Sequence, residues 1–266
     1  MKNQNKSATV ILVFILIYLL IPLAVSIIYS MFSNWTGIVP HDFTLETYKN
    51  LFHDRDFLAS LGRTVLIAIV PILVTILIIL LALFVTTIYF PKLEKYVQII
   101  CMIPYTIQGV ILSVSILSLY VANPSFLSNR IIMLIGAYCI IILPYIYQGI
   151  RNGMRAVNMP VLLEAAEMLG ASRIYAFFRI IIPNILSAIV VSSLLAVGII
   201  FGDYVLVRNL ASSAWPNVQI YLYQAMKSDS MKSSAVFVVI MAVTFAISAV
   251  VLYLRSREGK HRRVDE

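Results

Sequence analysis

The chain has 266 residues, of which 61% are hydrophobic and 12% charged, and its formal net charge is +8. Soluble domains carry roughly 25% charged residues, so a chain this apolar would leave greasy surface in water if it folded as a soluble domain. The basic excess calls for no nucleic acid; the Lys/Arg-rich stretch 255–263 reads as a topology anchor with anionic lipid as its partner.

Six stretches hold no Asp, Glu, Lys or Arg: 8–31, 64–91, 96–129, 131–150, 180–202 and 233–254. The shortest has 20 residues, and a helix needs ~20 apolar residues to cross a hydrocarbon core ~30 Å thick. Barrel strands are about 10 residues long and alternate in polarity. The expected fold is therefore an all-α membrane protein with six transmembrane helices in one membrane domain over 1–266.

The first predicted span, about 8–30, is too long for the core of a signal peptide and lacks a small-x-small cleavage site after it. It reads as a retained helix. In the polar and aromatic segment 31–62, Thr44 can cap a short helix over 45–52 with Leu45, Tyr48 and Phe52 on one face. That helix lies at the membrane surface or packs on neighbouring spans. Span two, about 64–89, contains Pro71, and a tight turn over 91–95 leads to span three, about 97–120, with Pro104 and Gly109. Span four, about 131–150, contains Pro144. Prolines kink spans wherever neighbours satisfy the freed carbonyls. Cys101 and Cys139 lie in spans without a spacing motif, so they read as small buried apolar residues, with no disulfide and no metal. After the segment 151–182 come span five, about 183–204, an intervening loop, and span six, about 233–254.

An even number of spans puts both termini on one side. Of the 20 Lys and Arg residues, 13 fall in segments on that side and 7 opposite. By the positive-inside rule the N- and C-termini are cytoplasmic.

The 32-residue inner segment 151–182 is the informative one. Pro160 suits the first turn of a helix, and Gly170 the left-handed position that ends one. At 100° per residue, Val161, Leu162, Ala165, Ala166, Met168 and Leu169 share a broad face, with Glu164 and Glu167 opposite. Ser172 can cap a second short helix running toward Phe178. A helical elbow of this kind can dock in a groove on another protein or lie on lipid.

Glu164-Ala165-Ala166, three residues, Gly170, nine residues and Ile180-x-Ile182-Pro183 resemble the EAA motif of binding-protein-dependent ABC importer permeases. Ile182 stands where that motif usually has Leu. The resemblance implies a type I importer permease in a prokaryotic plasma (inner) membrane, with the elbow as its coupling helix. Glu164, Ala165, Ala166, Gly170, Ile180 and Pro183 would then form the coupling region for an ATPase. The implied partners are a cytoplasmic ABC ATPase dimer, a second permease subunit (a heterodimer is expected) and an extracytoplasmic solute-binding protein. ATP and Mg would be bound by the ATPase, since this chain has no G-x-x-x-x-G-K-[ST] loop. No cofactor is expected in this chain, and no enzymatic activity of its own.

The segment 43–52 and Gly202-Asp203-Tyr204 resemble in style the polyamine, ferric-ion and phosphonate branch, with sugar importers as the rival. Asp203 either attracts a cation at the outer mouth or is simply hydrated there. Tyr105, Gln108, Tyr145 and Gln148 either line a polar pathway or cross-link helices by hydrogen bonds. An ion-coupled secondary transporter would normally carry midplane charges, and none of the six stretches has one. An intramembrane serine protease would need a histidine in a span, and His41, His53 and His261 all lie outside.

Overall fold

The long apolar runs become long helices because lipid offers no partner for backbone N–H and C=O groups, and a helix satisfies them internally. The computed structural model describes residues 2–34, 41–107, 109–120 and 128–262. Its helices are α1 (Lys2–Tyr29), α2 (Glu46–His53), α3 (Arg55–Ile88), α4 (Glu94–Met102), α5 (Gly109–Tyr120), α6 (Arg130–Ala156), α7 (Met159–Met168), α8 (Arg173–Ala176), α9 (Ile182–Gly202), α10 (Val218–Ser228) and α11 (Ser230–Arg262). Short strands β1 (Phe32–Asn34) and β2 (His41–Phe43) pair antiparallel, Phe32 opposite Phe43.

Among the described residues, five helices are long and apolar enough to cross a membrane: Thr9–Tyr29, Arg55–Ile88, Arg130–Ala156, Arg173–Gly202 and Ser230–Tyr253. Pro91–Thr106 and Gly109–Tyr120 pass the same test together, bent by 101°, and make a sixth if they are one span. In the region of the expected third span the helix is thus interrupted at Pro104, one of the prolines expected to kink a span. Pro104 sits in a tight 3₁₀ turn, Ile103–Thr106, and Ile107 follows in extended backbone. A proline without an N–H and a following non-helical residue interrupt the ladder. The other helices extend beyond their charge-free windows, because a helix does not stop where the hydrocarbon stops.

The chain divides into two compact units. One comprises Met1–Ser60 and Tyr221–Val243. Here the Tyr48 hydroxyl lies 2.5 Å from that of Ser30, and Phe57 is fully buried against Tyr221, ring centres 5.4 Å apart. The short helix begins at Glu46, whose N–H donates to the Thr44 hydroxyl. Leu51 is its buried residue, while Leu45 and Phe52 are exposed, so its inner face differs from the expected one.

The other unit comprises Leu61–Ile220 and Thr244–Glu266, and is organised on α6 and α9. Leu134, Tyr138, Ile142, Ile146 and Ile150 recur every four residues along α6, all fully buried. Ile185, Ile189, Ser192, Ala196 and Ile200 form the buried stripe of α9. The helices meet most closely at Gly149 and Gly153. A Cβ on Gly149 would fall 2.4 Å from the Ser192 Cβ, and one on Gly153 would fall 2.4 Å from the Ala188 Cβ. Two glycines four residues apart facing two small residues four apart let helix backbones approach where the hydrophobic effect cannot drive them together.

Candidate functional site: the elbow and its groove

The elbow starts where α6 ends. Asn158 adopts a left-handed conformation, φ 49°, which Asn tolerates better than most residues with a Cβ. Pro160 then lies in the first turn of α7, where its missing N–H costs nothing. At the far end the Gly170 N–H donates to the Glu167 carbonyl and the Ala171 N–H to that of Ala166, with Gly170 at φ +82°. This is a Schellman closure. Among the described residues, a Cβ on Gly170 would meet nothing within 4 Å, so the position needs glycine for its dihedral and not for space. The Ser172 hydroxyl accepts from the Tyr175 N–H and caps α8. Arg173 and Glu167 form an ion pair across the bend.

The expected apolar face of α7 is split. Met159 and Ala166, seven residues apart, point into the protein and are buried. Met168 and Leu169 are 88% and 89% exposed, and Glu164, Ala165 and Val161 are exposed with them. Two large apolar side chains stand at the tip of the elbow beside a low alanine and a carboxylate.

The base of the elbow is held firmly. Phe177 is fully buried and packs on Phe84 of α3, ring centres 4.8 Å apart, with Phe178 6.3 Å from the same ring. A π-helical turn, Phe177–Ile181, precedes α9; it includes Ile180, whose carbonyl accepts from the Asn184 side chain at 2.8 Å. Pro183 in the first turn of α9 has no N–H to return to the preceding turn, and a wide turn accommodates that loss. On the α6 side, Arg151 grips the Glu94 carboxylate from Nε (2.9 Å) and Nη2 (2.7 Å).

The expected pathway residues separate. Tyr145 and Gln148 line a groove of about 540 Å³ between α6 and α9, whose floor is Gly149, Gly153, Ala188 and Ser192. Tyr105 lies edge-on to Tyr145, ring centres 5.0 Å apart, and the Gln148 Nε2 reaches the Met102 sulfur at 3.3 Å. Gln108 lies outside the described residues. Asp203 sits at the other end of α9, where its carboxylate accepts from the Tyr138 hydroxyl at 3.2 Å and from the Leu206 and Val207 N–H groups. Asn217 donates to the Asp203 carbonyl. Asn152, Asn184 and Ser187 also line the groove; the sequence reading passes over them, although each is a polar residue near a span end.

The family model described as "Binding-protein-dependent transport system inner membrane component" matches residues 93–258. The chain is 20% identical over 260 residues to PhnV of Salmonella paratyphi A, named for a 2-aminoethylphosphonate transport system permease, covering 97% of each chain. Its counterpart in Salmonella typhimurium matches equally, at 20% over 260 residues and 97% of each chain. Among solved structures, a chain of a bacterial ABC transporter involved in the import of the acidic polysaccharide alginate superposes with a TM-score of 0.74, at 18% identity, over 96% of both chains.

Proposed function

This chain belongs to the family of binding-protein-dependent transport system inner membrane components, and from that premise we propose that it is the path-forming subunit of an importer for a small phosphonate of the 2-aminoethylphosphonate type. As an ABC importer permease it is a multi-pass protein of the bacterial inner membrane. The permease is not an enzyme in itself, and its family implies an ATPase and a binding protein as partners.

The observation that carries the reading is the elbow. A rigidly based helix ends in a left-handed glycine, with Met168 and Leu169 projecting beside Glu164 and Ala165. An apolar tip with small neighbours suits insertion into a groove of another protein. In our reading the groove belongs to a cytoplasmic ATPase that binds ATP and Mg, and the termini share its side of the membrane. One chain supplies one elbow, so two permease chains face two ATPase subunits, and we take the second permease to be a paralogue. The phosphonate assignment is supported by the full-length likeness to PhnV.

Co-purification from membranes tests the coupling role. The doubly substituted Gly170→Asp, Glu164→Ala chain should reach the membrane in normal amount and lose its ATPase partner. Undiminished association together with undiminished ATP-driven uptake would refute it.

A further inference from the structure

Tyr145, Gln148 and Asn152 lie at i, i+3 and i+7 on α6, and Asn184, Ser187 and Val191 at i, i+3 and i+7 on α9. Each set therefore occupies one helix face, and both faces border the same groove. Gln148, Asn152 and Asn184 are exposed. Gln148 lies two residues before the end of the charge-free window 131–150, and Asn184 four residues after the start of the window 180–202, so both stand inside apolar runs close to one boundary of the membrane. A carboxamide inside an apolar run is costly where it meets lipid tails.

The row carries no negative charge. Among the described residues, no Asp or Glu lines the groove. α9 carries no charged residue, and the charged side chains of α6 after Tyr145 are Arg151 and Arg155. Arg151 is committed to Glu94. Besides Arg155, what remains is carboxamide and hydroxyl groups, which accept as well as donate; Gln148 and Asn184 each keep a second N–H, beyond the one on Met102 or Ile180, for an oxyanion oxygen. A polyamine or a bare metal cation leaving water gains most from carboxylates, which offset the lost hydration best, and this wall offers none.

The geometry points to the Gln148–Asn152 row of α6 and the Asn184–Ser187 row of α9 as the solute-contacting wall of this chain, selective for a small solute bearing an oxyanion, such as a phosphonate. This rests on the permease reading above and adds which residues meet the solute and which charge they accept.

Two experiments test it. In membrane vesicles, on a Cys101→Ser, Cys139→Ala background, Gln148→Cys and Asn184→Cys should react with a membrane-impermeant thiol reagent about ten-fold faster than Leu73→Cys, whose side chain is exposed on an apolar face. In the complete transporter, 2-aminoethylphosphonate should slow that reaction, and Asn184→Ala or Asn152→Ala should lower its uptake about ten-fold with ATPase association intact. Asn152→Asp should lower it further, because a carboxylate repels the anion. Reactivity no faster than that of Leu73→Cys overturns the wall. Labelling that ignores the solute, with wild-type uptake in all variants, reduces the row to a hydrated or headgroup-facing surface and also overturns it. Uptake of putrescine or ferric ion in place of the phosphonate, improved by Asn152→Asp, overturns the oxyanion assignment. Absence of ATP-driven uptake of any solute by the wild-type complex would instead count against the permease reading itself.

Discussion

A β-carbon on Gly153 would lie 2.4 Å from the β-carbon of Ala188, well inside any real contact. The neighbour is itself a Cβ fixed to a helix backbone, so no side-chain rotation relieves the clash; the helices must part. Gly153→Ala should therefore destabilise the folded protein by about 1–3 kcal/mol, the usual range for overpacking. Thermal inactivation in detergent reads this out. Adding Ala188→Gly should recover most of the loss, and no recovery would show that the contact does not govern the site.

Gly170 behaves differently, because the space around it is open and only its φ of +82° is special. Gly170→Ala should cost about 1–2 kcal/mol, borne locally by the elbow. Gly170→Asn should be milder. The expected signature is weakened ATPase binding with little change in thermal stability, the reverse of the Gly153 pattern.

The Glu94–Arg151 pair joins the start of α4 to the end of α6. Glu94→Gln should cost about 1 kcal/mol, a modest figure for a pair whose carboxylate is still partly in water. A double-mutant cycle with Arg151→Gln measures the coupling. A coupling near zero would remove this pair from the support of the elbow.

Asp54 accepts from the Tyr221 hydroxyl at 2.5 Å and pairs with the Lys232 ammonium at 3.3 Å. The Tyr221 hydrogen bond, followed by smaller contributions from the Phe57 N–H, Lys232 and the Asp56 N–H, holds its carboxyl below the usual carboxylate range against the opposing effect of burial. A depressed folded-state pKa means that the unfolded chain binds more protons at acid pH. The stabilisation is thus present above about pH 4 and fades as pH falls through the folded-state value. Asp54→Asn should flatten the acid limb of a stability-versus-pH curve while leaving the neutral limb parallel to wild type.

Asp203 is engaged by Tyr138 and by two backbone N–H groups, so its first role is to cap and anchor the chain after α9. Asp203→Asn retains an acceptor and should leave solute uptake within about two-fold, whereas Asp203→Ala should lose about 1–2 kcal/mol of stability. Abolished uptake in a stable Asp203→Asn chain would instead assign it a pathway role.

Much of this was legible in the residues. Charge-free runs announce spans because a charge in hydrocarbon is expensive, and Gly170 announces the bend because few residues tolerate its dihedral. Helix ends were less legible, since α3 begins at Arg55, nine residues before its apolar window. The Gly149–Gly153 seat escaped notice because its partners, Ala188 and Ser192, lie more than thirty residues away, and glycine in an apolar run looks like composition until a second helix is laid on it. The exposure of Met168 and Leu169 escaped for a related reason: a helical wheel groups them with Ala166, and only the bearing of α7 on its neighbours separates an inward alanine from an outward methionine.

Within the described residues of the first span, Thr9–Tyr29, the apolar window buries nothing against the rest of the protein. A segment that buries so little against its own chain can leave the ribosome and partition into the bilayer without waiting for the rest of the fold. Its orientation can then be settled before the more deeply packed helices have been synthesised, and each later turn of the chain would inherit that choice.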